Sequence, residues 1–215
     1  MKLRRLRDGD VLEDGDIVLV RGGDLDPDIL RADAARYYSI YGVYGISVFA
    51  VRGATVEELA QQVPLVRFDR LSLLKVWDLL AAGMRLEPTG RNPRHFTVGF
   101  DDLEGGGQRL ASCPCQACRI RTVTRNLGTG GILMDLHIDL AADLNDQDDE
   151  GLGWSTMAEA SEPAKIRPGV MLVAGNLQAQ AVVRVVAVDD DGQVHFTVLP
   201  GSVEKNRHLS ARALA

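Results

Sequence analysis

Cysteine is scarce: the 215 residues hold three, all between positions 113 and 118. That leaves no disulfide framework and fits a reducing, cytoplasmic setting. No apolar run approaches the ~20 residues that span a bilayer, so no membrane partner is expected. The N-terminus, Met1 to Asp8, is basic but lacks the apolar core of a secretory signal. No glycine-rich segment fits a P-loop or a dinucleotide-binding fingerprint. Lysine is rare as well, with 4 Lys against 20 Arg in a chain rich in Ala, Gly, Val and Asp. This is the composition of a GC-rich bacterial gene. What is present, 46% hydrophobic and 25% charged residues, is an ordinary globular balance. At roughly 100–200 residues per domain, the length suits one large domain or two small ones.

Charge is distributed unevenly. Residues 1–133 carry 18 basic and 17 acidic side chains, whereas residues 134–215 carry 6 and 13. Between Gly105 and Met134 there are four arginines and no acid; from Asp135 to Glu162 there are nine acids and no Lys or Arg. Such blocks mark solvated or interacting segments. An acidic module repels phosphate, which argues against nucleic acid as a direct ligand of the C-terminal part.

In the first hundred residues, Ile17-Val18-Leu19-Val20 reads as a buried strand bounded by Asp-Gly turns. Asp26-Pro27 is an N-cap followed by proline at the first helical position, and Leu30, Ala34, Tyr37 and Tyr41 follow at helical spacing up to Gly42. Gly45 to Val51 reads as a second strand. Thr55-Val56-Glu57-Glu58 is a capping box. Val66 and Phe68 suggest a short strand. Asp69 is placed to cap a helix from Arg70 to Ala82 on the spacing of Leu71, Leu74, Trp77 and Leu80, with Gly83 as its stop. His95 to Phe100 alternates as a last strand, and the module is expected to end near Glu104.

The polar residues at the ends of these strands are Arg21, Ser47 and His95, with Arg91 and Arg94 nearby. An Arg on a first strand (LVRGG) and a Ser on a second (ISVF) resemble ADP-ribosyltransferase-type toxin modules. The resemblance spans two short strands. It implies that these residues hold a dinucleotide and that a glutamate completes the site; Glu58 is used by the capping box, leaving Glu57. A second reading makes Arg91 and Arg94 a phosphate-binding pair and His95 an acid–base group, as in small bacterial RNase toxins. A third places His95 on the polar face of an edge strand beside solubilising arginines.

Metal ligation has one candidate, Cys113, Cys115 and Cys118, whose thiolates could grip zinc with a fourth ligand from His137 or His95. A second CxxC is missing, and an exposed, oxidation-prone linker is the alternative. Asp146-x-Asp148-x-Glu150-Gly151 begins like a calcium loop, but Met157 stands where the bidentate glutamate is required. Residues 105–133 read as a linker. Gly130-Gly131-Ile132-Leu133-Met134 can be encoded with a GGAGG stretch ahead of an ATG, the layout of a ribosome-binding site and start codon. A fusion of two neighbouring genes at Met134 follows as a hypothesis.

Residues 134–165 read as an acidic arm that orders on contact, with Leu140, Leu144, Leu152 and Trp154 as apolar contact residues. From residue 166 onward the chain reads as β. Arg167-Pro168-Gly169 leads into Val170 to Val173, Ala181 to Val188 is a β-branched strand, and Asp189-Asp190-Asp191-Gly192 is a hairpin turn. Val194, Phe196 and Val198 alternate against Gln193, His195 and Thr197, which puts His195 on the exposed face. Short strands after an Ile-x-Pro-Gly opening resemble SH3-like small barrels, which implies a binding module.

The expected fold is thus an α+β N-terminal module (1–104), a linker (105–133), an acidic arm (134–165) and a small mostly-β, SH3-like module (166–215). The leading functional expectation is a toxin-like effector fused to an acidic neutralising partner, the 135–162 arm making the intramolecular or protein contact. The alternatives are a non-catalytic interaction or structural protein, and an ADP-ribosyl-transferring enzyme or RNase.

Overall fold

The computed structural model describes residues 12, 17–62, 64–90, 92–119, 137–148, 150–201, 203–206 and 209, with the side chains of residues 118, 119, 204 and 205 left aside. Arg91 and the proposed junction at Met134 lie outside the described residues. The chain is mixed α/β, mostly strand with few helices, in two sheets.

Along the first half run β1 (Val18–Gly22), α1 (Pro27–Tyr41), β2 (Tyr44–Ala50), α2 (Val56–Ala60), β3 (Arg70–Lys75), α3 (Val76–Ala81), β4 (Arg85–Pro88), β5 (His95–Phe100), α4 (Leu103–Ser112) and β6 (Cys115–Arg119). The strands form one antiparallel sheet in the order β4-β5-β2-β1-β3-β6. Local chemistry sets the helix ends. The Asp26 carboxylate accepts from the Asp28 and Ile29 amides, and Gly42 closes α1 in the left-handed region at φ 70°. Thr55 and Glu58 complete the capping box of α2.

Three expectations fail here. Residues 70–82 are not one helix: β3 occupies the first six, and only Val76–Ala81 is helical. Leu71 and Leu74, spaced for a helix face, instead point to opposite sides of a strand buried on both. Because β3 pairs with β1 on one side and β6 on the other, its backbone is satisfied by two ladders. Trp77 and Leu80, the rest of the supposed apolar stripe, are exposed. The segment 105–119 is likewise helix and strand rather than linker. Its glycines serve packing, since a Cβ at Gly106 would fall 2.0 Å from the Phe100 ring. The short strand expected at Val66 and Phe68 is a 3₁₀ turn over Leu65–Arg67.

The second sheet comprises β7 (Leu140–Ala141), β8 (Gly153–Thr156), β9 (Met171–Gly175), β10 (Gln180–Val188) and β11 (Gln193–Val198), in the order β7-β9-β10-β11-β8, with α5 (Val203–Asn206) following. β7 runs parallel to β9 and the other pairs are antiparallel. An isolated bridge from Leu140 to Ala160, just past β8, links the two edges, so the sheet is nearly closed into a barrel. Gly192 takes φ 84° in the hairpin turn between β10 and β11. The acidic stretch thus supplies two strands of this sheet.

Each face of the first sheet has its own core. On one, Leu19, Ile46, Val48, Leu74 and Phe96 pack with Leu30 of α1 and Leu110 of α4. On the other, Val20, Phe49 and Leu71 join Leu140, Leu144, Leu172 and Phe196 of the second half in one continuous core. Burying each such side chain contributes about 1.5–3 kcal/mol.

Leu110 tests the reassignment of the 105–119 segment. Because it is fully buried between α4 and the sheet, Leu110→Ala is expected to lower the unfolding free energy by about 2–5 kcal/mol in urea titration. A change within about 0.5 kcal/mol, the usual effect at an exposed position, would restore the linker assignment.

Candidate functional site

Arg21, Ser47 and His95 come from three neighbouring strands, and the structure buries all of them, at 2%, 1% and 1% exposure. β5 lies between β4 and β2, so His95 is not on an edge strand. What covers the three is the loop of residues 142–148, which leaves β7 and lies against the polar end of the first sheet.

A buried guanidinium requires matched charge and hydrogen bonds. Arg21 donates to Asp33 of α1 at 2.7 Å, to Asp143 of the loop at 3.0 Å and to the Ser47 carbonyl at 3.0 Å. The second Asp33 oxygen accepts from Arg36 at 2.9 Å, and Arg36 reaches Glu159 at 3.2 Å. The charges therefore alternate in sign along Asp143–Arg21–Asp33–Arg36–Glu159, starting and ending in the second half of the chain. Asn145 adds a two-point contact to the Gly22 backbone, accepting from its N–H at 2.8 Å and donating to its carbonyl at 3.3 Å. Asp143 fixes that side chain by accepting from the Asn145 backbone and amide N–H groups, both at 2.9 Å.

His95 sits one step further along. Its Nδ1 lies 3.0 Å from the Thr89 hydroxyl and 3.1 Å from the Thr89 carbonyl. Nε2 faces Asp146 at 3.9 Å. Thr89 and Thr97 hydroxyls share a hydrogen bond at 2.8 Å beside the ring. Burial, reinforced by Asp143, pushes the Asp146 carboxyl up to about 8, although the Ser47 hydroxyl opposes the shift. Burial and Asp143 also raise Asp33, against the pull of Arg21 and Arg36. Asp143 itself stays below the usual carboxylate range: burial raises it, but Arg21 and the Asn145 donors outweigh that.

The far end of the loop is anchored by His195, expected to be exposed but held between Asp148 at 2.6 Å and Asp189 at 3.3 Å. The hydrogen bond to Asp148, chiefly, raises its pKa. Of the apolar contact residues, Leu144 enters the shared core, and Trp154 meets Tyr41 of α1 edge to face with ring centres 5.3 Å apart. Leu152 donates its backbone N–H to Asp148.

The remaining candidates lie apart from this cluster. Glu57 is exposed on α2, and among the described residues it takes no part in the cluster's hydrogen bonds or ion pairs. Arg94 donates to the carbonyls of Arg52 and Gly53, which ties it to a turn. Cys113 is buried in the helix-side core with its thiol pKa raised by burial, whereas Cys115 is exposed. Among the described residues no three His, Cys, Asp or Glu side chains gather as a metal site.

Sequence reasoning missed Asp33, Asp143, Asn145 and Asp146. For the loop residues the advance signals were the acid-rich composition of 135–162 and the calcium-like start at Asp146; for Asp33 there was none. With the loop in place, no substrate reaches Arg21, Ser47 or His95. With it withdrawn, the sheet would offer a guanidinium, an imidazole and several hydroxyls, a set suited to an anionic ligand.

The raised pKa of Asp146 has a definite sign in stability. The folded state keeps this proton up to about pH 8, whereas an unfolded Asp releases it near 3.9. Between those values folding takes up a proton, so the group's contribution falls as pH rises. Asp146→Asn removes the titration. Its unfolding midpoint should gain on wild type steadily from pH 5 to pH 8 and level off above; a pH-independent difference in thermal unfolding would refute the assignment.

No protein-family model, no curated protein and no solved structure matches the chain.

Proposed function

We propose that residues 12–119 form a toxin-type effector unit and that the acidic, SH3-like β unit after it is its built-in neutraliser, acting in the bacterial cytoplasm. The observation that carries this reading is the seating of loop 142–148. Asp143 pairs with Arg21, and Asn145 pairs with the Gly22 backbone. The loop carboxylates stand where the charged groups of an anionic substrate would stand. Opposite charge then serves the closed state twice, first by steering the units together and then by satisfying a buried cation. The substrate class that fits Arg21, Ser47, Thr97 and His95 is a phosphate-bearing molecule. ADP-ribosyl transfer lacks a glutamate from the effector unit in this cluster, where the one glutamate, Glu159, belongs to the β unit, so nucleolytic or phosphate-directed chemistry through His95 is the better match.

One observation favours a second reading, a non-catalytic interaction or structural protein. The apolar core shared by Val20, Phe49 and Leu71 with Leu172 and Phe196 would be exposed by separation, as expected of parts joined permanently.

Growth of cells expressing the parts separates these readings. Residues 1–119 alone should arrest growth. Co-expressed residues 134–215 should relieve the arrest, and the same piece with Asp143→Ala and Asn145→Ala should not. Residues 1–119 accumulating as soluble folded protein without effect on growth would contradict the effector reading.

A further inference from the structure

A second polar feature lies across the loop from the Arg21 cluster. A cavity of about 200 Å³ is lined by Arg67, Leu144, Asp146, Gln147, Phe196 and Thr197, among others. Arg67 ends the 3₁₀ turn before β3 and is partly buried. Among the described residues it forms no ion pair and no hydrogen bond, unlike Arg21 and Arg36. Burial alone lowers its pKa, to about 10. A desolvated guanidinium without a counter-charge is unfavourable, and the molecule pairs its other buried arginines carefully.

The cavity's other donors are also uncommitted. The Gln147 amide and the Thr197 hydroxyl are only partly exposed, and their side chains make no hydrogen bond among the described residues. Asp146 lines the same space, and burial pushes its carboxyl up to about 8, which lessens its opposition to an anion there. Donors from a turn, a loop and β11 therefore line one volume, in which the Arg67 guanidinium is the permanent charge.

We infer that this cavity binds a tetrahedral oxyanion of the phosphate type, held by the Arg67 guanidinium with the Gln147 amide and the Thr197 hydroxyl. The guanidinium fork suits two oxygens of such an ion. The two further donors, approaching from different elements, suit its remaining oxygens better than a planar carboxylate would. At roughly 30 Å³ per water, the volume exceeds what a bare ion needs. Free phosphate and a phosphate on a small carrier both fit, and they share this recognition chemistry. The inference does not depend on the effector reading, because this cavity is open with the loop closed.

The test is isothermal titration of the full chain at constant ionic strength, with inorganic phosphate and ribose 5-phosphate as separate probes. Saturable one-site binding of either is expected; tighter ribose 5-phosphate binding identifies a carried phosphate, and equal binding a free one. Arg67→Met, which retains the aliphatic stem, should weaken binding at least about ten-fold, the loss expected for a charge-assisted hydrogen bond. Thr197→Val should weaken it several-fold and provides the decisive variant if Arg67→Met does not fold. Arg94→Ala should bind as wild type does. The inference is overturned by an absence of saturation up to about 20 mM of both probes, or by wild-type binding in Arg67→Met and Thr197→Val.

Discussion

Arg21 is a permanent positive charge at the end of a central strand, closed off from water, and much of the architecture is arranged around matching it. One carboxylate, Asp33, comes from the helix that follows in sequence. The other, Asp143, comes from 122 residues further on. Removing one partner of such a buried pair typically costs 3–5 kcal/mol, because the remaining charge is left uncompensated. The position of loop 142–148 is therefore set by an electrostatic requirement of the first sheet. Asn145 makes the fit directional by reading the Gly22 backbone, which a carboxylate alone would not do.

The charged chain and the apolar core meet in the same loop. Leu144 lies between Asp143 and Asn145 and joins the core shared by the two sheets. Withdrawing the loop would thus expose Leu144 as well as unpair Arg21. Each contribution reinforces the other: the apolar contacts exclude water, and dry surroundings strengthen the ion pairs. Burying these acids has a cost, reinforced by the nearby Asp143 charge and visible in the raised carboxyls of Asp33 and Asp146. Closure holds protons that an open site would release, so the closed state is favoured toward lower pH.

Local chemistry was legible in the sequence wherever it acts within a few residues. The Asp26-Pro27 start of α1, the Gly42 stop, the Thr55–Glu58 capping box and the Asp189–Gly192 hairpin all depend on neighbours. β3 was misread because Leu71, Leu74, Trp77 and Leu80 fit a helical period, and nothing local reveals that β1 and β6 would flank the strand. The glycines of α4 suggested a linker for a similar reason, since their value lies in contact with Phe100. Arg21, Ser47 and His95 stood out as polar residues at strand ends, and the structure brings them together. Their partner in the loop did not stand out: Asp143 is one of nine acids in its segment, and no spacing rule links it to Arg21.

The account rests on Arg21 and Asp143 acting as a unit that joins the two halves of the chain. A double-mutant cycle in the full chain, with Arg21→Met, Asp143→Leu and both together, measures this directly by urea unfolding. Each single variant should lose stability, and the double variant should lose far less than their sum, with a coupling of at least about 1–2 kcal/mol. Losses that add within about 0.5 kcal/mol would show two independent sites and contradict the account.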